Sequence, residues 1–543
     1  MTLAAAGSPP IAPLRTADFI LAGVSGVLLA LPYLLPQLFL ISWIAFVPLL
    51  FALRDKGPGQ SYLLGVVTGL TTFVAAAWWV VEFITRLKGY QLPLTLVLAV
   101  LFWVYSAQLF GLLALAFAWL RRRSGVPDLV LFPVLLAVFF ALFPMLFHIQ
   151  LGESQSRFLV ALQAISYTGV HGLDAVIALS SIVVFKLLSG RPVRGEVPAL
   201  SAAVAVIALW LGFGFFSLSD WDRQMESWQT RNIGFVQHNT GPLLSPVPPT
   251  PGYSRSYPRA MELTEGLADA GAELVLWPET RFIQYFSKPH VRGAFESQVA
   301  DMGVPLLFQD MEQVHHMAPE NSRYEQREYN TALLLNAQGE EQGRYRKIRR
   351  VAFGEYLPWV GDNPRVSAWV TGLFGSFYDN VSAGTEPKVF DVAGMSLVPL
   401  ICYEAMFPEL VANATGTATA IGKRKGQVLA VLSNNTWFGQ SQQPYQHLNA
   451  SVLRAVENRA PLVHVINNGP SGVVLPNARI LFQAPFGEEA GYLVGLPHSP
   501  DSGGSFFTRN PYLFSGALYV LLAGFVLSAM IRRRRSRRGV TKG

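Results

Sequence analysis

Cys402 is the only cysteine among 543 residues, and it closes an apolar run, Val398-Pro399-Leu400-Ile401-Cys402-Tyr403-Glu404. A single thiol forms no intramolecular disulfide and supplies no cysteine cluster for a metal, so a special role for it is that of a nucleophile. The plain alternative is a small, inert core residue in a strand. Two other segments hold complementary chemistry. In Leu274-Val275-Leu276-Trp277-Pro278-Glu279-Thr280 the proline stops a strand and displays Glu279 at its edge; taken alone, Glu279 reads as a solvated loop glutamate. In Tyr345-Arg346-Lys347-Ile348-Arg349-Arg350-Val351-Ala352-Phe353-Gly354-Glu355-Tyr356-Leu357-Pro358 a basic cluster precedes glycine, aromatics and proline. That content marks a shaped loop, against the alternatives of a solvated basic face or a patch for lipid headgroups. A thiol is mostly protonated near neutral pH and needs a neighbouring base or cation to attack. Glu279 can take its proton, and Lys347 can stabilise the oxyanion formed when a thiolate adds to a carbonyl. Spacing along the chain leaves open whether the three meet.

The elements that must position them lie in residues 229–500, where short β-rich runs alternate with helical stretches. Strands are predicted at 232–237, 274–277, 305–308, 331–335, 397–402, 428–433, 462–466 and 472–475, and helices at 257–270, 291–302 and 446–458. Apolar strands separated by helices predict an α/β sheet with both faces covered. Residues 331–335 and 341–346 read as a hairpin-like pair about the turn Asn336-Ala337-Gln338-Gly339. The stretch 241–251, with five prolines, reads as a loop. The sequence has no dinucleotide-binding glycine fingerprint, no phosphate-binding P-loop and no internal repeat.

The rest of the chain belongs to another solvent. Hydrophobic residues make up 51% and charged residues 14%, with a mean hydropathy of +0.33, where soluble domains carry about 25% charged residues. A membrane-spanning helix needs about 20 apolar residues. Runs near 17–33, 36–53, 61–84, 92–120, 128–148, 169–188, 198–218 and 511–531 predict about eight spans. The first run is followed at once by others and is not read as a cleaved signal peptide. With eight spans, Arg15, Arg54, Lys56, Arg121, Arg122, Arg123, Arg191, Arg194 and the tail residues Arg532, Arg533, Arg534, Arg535, Arg537, Arg538 and Lys542 fall on one side. Only Arg86, Lys88 and Arg157 lie in short loops on the other. The positive-inside rule puts both termini in the cytoplasm and residues 229–500 outside it. The net charge of +7 is then a topology signal, and the basic tail 532–543 is an anchor near anionic lipid, so no nucleic-acid partner is expected. Glu82 and Asp174 stand out within spans but lie near their ends, where interfacial placement is the simpler account. The nine histidines, among them the adjacent His315-His316 and the isolated His447 and His464, show no ligand spacing, and neither metal nor cofactor is expected.

Trp277-Pro278-Glu279, the Arg346-Lys347 ahead of Phe353-Gly354-Glu355-Tyr356-Leu357-Pro358, Cys402-Tyr403-Glu404, Ser433-Asn434-Asn435-Thr436-Trp437-Phe438-Gly439 and Asn467-Asn468-Gly469 together resemble the carbon–nitrogen hydrolase (nitrilase) superfamily, in its membrane-embedded, lipoprotein-acylating branch. The resemblance covers essentially the whole chain. It implies a transmembrane domain at 1–218, a nitrilase-like α-β-β-α sandwich at 229–500 in the periplasm of a Gram-negative bacterium, a last span at 511–531 and a cytoplasmic tail. It further implies Glu279 as general base, Lys347 as oxyanion partner and Cys402 as acyl-accepting nucleophile. Glu355 matches a second glutamate near the site, Tyr403 and Glu404 the residues flanking the nucleophile, and Trp437 and Phe438 an aromatic loop at its mouth. The implied reaction is ping-pong. An acyl chain leaves a phospholipid, typically phosphatidylethanolamine, as a thioester on Cys402, and passes to the amino group of a diacylglyceryl-cysteine lipoprotein. A monomer is expected. The chain departs from the family pattern at Asn435, at Gln309, at Arg459, and in lacking a tryptophan soon after His238, differences that bear on loop conformation and substrate choice. Alternatives of other classes are a membrane-tethered amidase or nitrilase acting on a small C–N substrate, and an inactive lipid- or lipoprotein-binding paralogue. For acyl transfer, Phe282, Tyr285 and Phe286 are candidate acyl-chain contacts, and a mobile lid carrying Trp437 would keep water from the thioester.

Overall fold

In a computed structural model the described residues are 11–190, 196–242, 246, 248–280, 282–317, 324–358, 365, 366, 369, 372, 381–420 and 427–540. Arg191, Arg194 and Lys542, used above for orientation, lie outside them. The chain divides into two compact units. One draws on Met1–Val80, Pro93–Leu218 and Pro511–Gly543, the other on Val81–Leu92 and Ser219–Asn510.

The first unit is helical. Thr16–Leu34, Leu92–Arg121, Val170–Leu188, Val197–Met225 and Leu513–Arg534 are long and apolar enough to cross a membrane, and counting the broken pair Pro58–Ala76 and Val80–Leu87 gives a sixth. Leu209, Phe215 and Val520 are 72%, 71% and 73% exposed, so these helices turn apolar surface outward, which is stable only in hydrocarbon. About eight spans were expected from the apolar runs. The run 36–53 instead breaks into a 3-10 helix, Pro36–Trp43, and a short helix, Val47–Ala52. The run 128–148 is helical only over Asp128–Leu142, because Phe143 precedes Pro144 and is driven to an extended ψ of 126°. Asp174 is packed inside the unit. It is fully buried, accepts the Gly152 N–H at 2.8 Å and sits 3.1 Å from His171 Nδ1, as a polar group in an apolar unit must.

The second unit contains two sheets. One has the order β13-β1-β2-β3-β4-β5, with β6 also on β4. Its strands are β1 (Gln229–Gln237), β2 (Leu274–Leu276), β3 (Leu306–Met317), β4 (Tyr324–Leu335), β5 (Glu341–Arg346), β6 (Val381–Ser382) and β13 (Ala490–His498). The other has the order β12-β11-β10-β9-β8-β7, built from β7 (Phe390–Val392), β8 (Met395–Ile401), β9 (Gln427–Ser433), β10 (Leu462–Ile466), β11 (Gly472–Val474) and β12 (Ile480–Gln483). β1, β2 and β3 run parallel, as do β8, β9 and β10. Ile233, Phe235, Leu276 and Leu334 of the first sheet meet Leu397, Ile401, Leu432 and Val463 of the second in one core. A second core, with Trp277, Phe295 and Phe308, packs the helices Arg259–Asp269 and Pro289–Met302 on the first sheet's other face. The helices Pro408–Ala420 and Gln443–Asn458 cover the second sheet. The layering is α-β-β-α, and each large apolar side chain it buries contributes about 1.5–3 kcal/mol.

β3 and β4 are much longer than expected, pairing without a break from Leu306↔Leu335 to Met317↔Tyr324. Their outer halves are polar and gave no apolar signal. Their charges are matched across strands instead, with Glu312 receiving Arg344 and Arg346 at 2.8 Å each. The helix Pro408–Ala420 also escaped the sequence reading, since its small residues carry little amphipathic pattern.

Candidate active site

Each of the three chemically matched residues follows the carboxyl end of a strand. Glu279 comes just after β2, where the Trp277 N–H still bonds the Leu307 carbonyl at 2.9 Å before Pro278 ends the ladder. Lys347 follows β5 directly, its N–H donating to the Asn330 carbonyl at 2.9 Å. Cys402 follows β8 with φ +51° and opens a 3-10 turn, Cys402–Met406. It is therefore a turn residue and not part of the apolar strand. A left-handed backbone costs a side-chain-bearing residue about 1–2 kcal/mol and persists only where the surroundings impose it. Glu404 is one such restraint. Fully buried, it accepts the N–H groups of Ile401, Ile348 and Arg349 at 2.8, 2.7 and 3.0 Å and the Tyr345 hydroxyl at 2.8 Å. It ties the turn after β8 to the loop after β5.

Glu279, Lys347 and Glu355 form one buried cluster. Lys347 Nζ donates to Glu355 Oε1 at 3.0 Å and to Glu279 Oε1 at 3.5 Å. Glu355 is further held by the Val351 N–H at 2.8 Å. Asn330, which sequence reasoning missed, donates from one amide nitrogen to Glu279 at 2.7 Å and to Glu355 at 3.0 Å. The available signal was a polar residue on a buried strand beside apolar neighbours. The Asn434 N–H donates to Glu279 Oε2 at 3.2 Å, so the loop that carries Trp437 begins at the cluster. Burial alone would push the Lys347 ammonium down, but Glu279 and Glu355, then Cys402 and Glu404, raise it above the ordinary lysine range, and it stays charged. Burial pushes the Cys402 thiol up and the Glu279 charge adds to this; Lys347 and the Asn434 N–H oppose it without prevailing. The thiol is thus held neutral while the neighbouring ammonium stays charged.

This gives a pH dependence. A thiol with an ordinary pKa of about 8.5 reaches a plateau of alkylation rate above that pH. Alkylation of Cys402 by iodoacetamide, followed by mass spectrometry, is expected to rise about tenfold per pH unit from 7 to 9 with no plateau, because the thiolate fraction is still far below one. A plateau at or below pH 7 would mean a resting thiolate.

His447, read as isolated, is not. Burial depresses it to about pH 4, so the ring is neutral. Nε2 lies 3.0 Å from the Cys402 carbonyl and must be the donor there. Nδ1 then only accepts, which assigns the Asn435 side-chain atom facing it at 3.2 Å as the amide nitrogen. Tyr403 is half-buried with its ring edge-on to Phe407 at 4.9 Å. Trp437 is half-buried on the turn Thr436–Phe438. Phe438 stacks on Phe83 at 5.0 Å, and Glu82, bonded to Arg86 at 2.6 Å, lies where a Cβ on Gly439 would be. Tyr285 is fully buried among Phe295 and Phe308 with its hydroxyl on Glu296, so it packs the core and does not face an acyl chain. Phe282 lines a cavity of about 270 Å³ together with Trp277, Thr280, Ile283, His238 and Arg255.

The two-sheet sandwich and its buried carboxylates, ammonium and thiol define a protein of the carbon–nitrogen hydrolase class, and a carbon–nitrogen hydrolase family model matches residues 248–495. A model of the apolipoprotein N-acyltransferase N-terminal domain matches residues 25–183. Over 542 residues the chain is 30% identical to the apolipoprotein N-acyltransferase of Geobacter metallireducens, covering 96% of each. It is 26% identical over 496 residues to that of Bdellovibrio bacteriovorus, covering 85% of this chain and 87% of the relative. An amidase from Nesterenkonia sp. shares 20% identity over 52% of this chain and 92% of its own, with a TM-score of 0.35. The chain belongs to the apolipoprotein N-acyltransferase family.

Proposed function

We propose that this chain moves an acyl chain from a phospholipid, phosphatidylethanolamine in the first instance, to the N-terminal amino group of a diacylglyceryl-cysteine lipoprotein, by way of a thioester on Cys402. The observation that carries this reading is the Lys347 ammonium held between Glu279 and Glu355 beside a neutral thiol, in a chain with at least five helices able to span a membrane. In the first half-reaction Glu279 takes the thiol proton as sulfur adds to the ester carbonyl. Lys347 stabilises the oxyanion. The intermediate collapses, Glu279 returns the proton to the leaving alkoxide, and a lysophospholipid departs. In the second half the lipoprotein amine adds to the thioester, Glu279 accepts its proton, and the thiol is restored as the amide forms. Glu355 and Asn330 hold the base and the cation in register, and Glu404 and Tyr403 frame the nucleophile.

Both substrates are lipids, and each methylene drawn into water costs about 0.8 kcal/mol, which favours a thiol working at the membrane surface. The distribution of basic residues supports an inner-membrane chain with both termini cytoplasmic and the catalytic unit periplasmic. Where a hydrolase passes its thioester to water, a transferase must exclude water, and a lid carrying Trp437 would serve that need. Trp437→Ala is expected to shorten the thioester lifetime about tenfold and divert acyl groups to free fatty acid, measured as the ratio of fatty acid to acylated peptide. An unchanged ratio would remove the lid from the account. The reading as a whole is tested by product analysis. Donor lipid plus diacylated lipopeptide should give lysophospholipid and triacylated peptide in equal amounts; free fatty acid regardless of peptide would make the chain a hydrolase.

A further inference from the structure

Soon after Glu279 the backbone is unusual at two residues: Phe282 and Gln284 have φ of +71° and +69°. Residues with side chains hold such conformations only when neighbours over-determine them. Here two consecutive buried residues of β3 do so. Gln309 accepts the Thr280 N–H on its side-chain oxygen at 2.8 Å, and its carbonyl accepts the Thr280 hydroxyl at 3.4 Å. Asp310 accepts the Tyr285 N–H at 2.8 Å and also takes the N–H groups of Gln284 and Phe286. Its carboxyl is 1% exposed, and the groups that bear on it are backbone N–H donors. A buried carboxylate is costly unless its bonds are made; besides the N–H of its strand neighbour Met311, they go to one short loop.

That loop matters in two ways. β3 pairs with β4 so that Met311 faces Asn330, and Asn330 donates to Glu279. One strand pair thus fixes both the backbone after Glu279 and its side chain. Thr280, Phe282 and Ile283 also form a wall of the cavity described above, with Arg255 donating to the Phe282 carbonyl at 3.2 Å. We infer that Asp310, assisted by Gln309, is a positioning residue that sets the backbone at Thr280 and Gln284–Phe286 and thereby aims Glu279 and shapes the wall of the adjoining cavity. The inference rests on reading Glu279 as the base.

The test uses the full-length protein in lipid, single-turnover acylation of Cys402 by labelled phosphatidylethanolamine, and thermal unfolding of the same samples. Asp310→Asn is expected to slow acylation by about 10–100-fold, the scale of a misplaced catalytic group. Adding Gln284→Gly should recover at least about fivefold of that loss, because glycine takes a positive φ without penalty. A residue that only stabilised the fold would show no such rescue. Should Asp310→Asn not fold, Gln309→Ala serves in its place, with an expected slowing of about fivefold or more. The inference is overturned if folded variants acylate at the wild-type rate, or if the loss merely follows the folded fraction and Gln284→Gly recovers nothing. Glu279→Gln separates the two levels. If it alone keeps full activity, the role given to Glu279 fails; if it is inactive while Asp310→Asn and Gln309→Ala are not, only the positioning role fails.

Discussion

Cys402→Ser is expected to lower acyl transfer by about four orders of magnitude or more, as removal of an activated nucleophile does in triad enzymes. The substitution changes one atom and leaves the left-handed turn at φ +51° in place. A serine hydroxyl is far less acidic than a thiol and a poorer nucleophile, and a site that holds even the thiol neutral gives it little help. The measurement is the initial rate of triacylated lipopeptide formation, with circular dichroism confirming that the variant is folded. A variant retaining a tenth of the wild-type rate would move the chemistry to another residue.

Lys347→Met is expected to be damaging twice over. The side chain is 1% exposed and its ammonium is bonded to Glu355 and Glu279. Removing an oxyanion partner costs about 10²–10³-fold in rate. Removing the cation also leaves buried carboxylates uncompensated, which costs about 3–5 kcal/mol when one member of a buried ion pair is deleted. Methionine fills a similar volume, so a cavity contributes little. Single-turnover acylation and chemical denaturation of the same variant read the two effects separately. A stable variant with lost activity assigns Lys347 to catalysis alone; lost stability with full activity per folded molecule would take the oxyanion role from it.

Glu279, Lys347 and Cys402 each carry a local mark: a proline that ends a strand, a basic pair before a glycine-aromatic loop, a lone thiol after an apolar run; Glu355 was named only through the resemblance to a known family. The sandwich was legible from the alternation of apolar strands with helices. What could not be read depends on partners far away in the chain. Asn330 becomes meaningful only when β4 lies beside β2's end and β5's loop, and His447 only when its helix lies over the turn at Cys402. Asp310 looks like a charged residue in a strand until the backbone of Gln284–Phe286 is folded onto it. The polar halves of β3 and β4 were hidden for the same reason, since Glu312 is paid for by arginines two strands away. Apolar runs report length in sequence, not helix continuity, which is why a break at residues 44–46 and the proline at position 144 left fewer long helices than the runs implied.

The central claim is that Cys402 carries the acyl group. Intact-protein and peptide mass spectrometry after incubation with acyl-labelled phosphatidylethanolamine, without acceptor, tests it directly. The account predicts one acyl group per chain on Cys402, labile to hydroxylamine as a thioester is, and its loss when a diacylated lipopeptide is added, with the label recovered on the peptide's amino group. A label on any other residue, or transfer to the lipopeptide at the wild-type rate by Cys402→Ala, would contradict it.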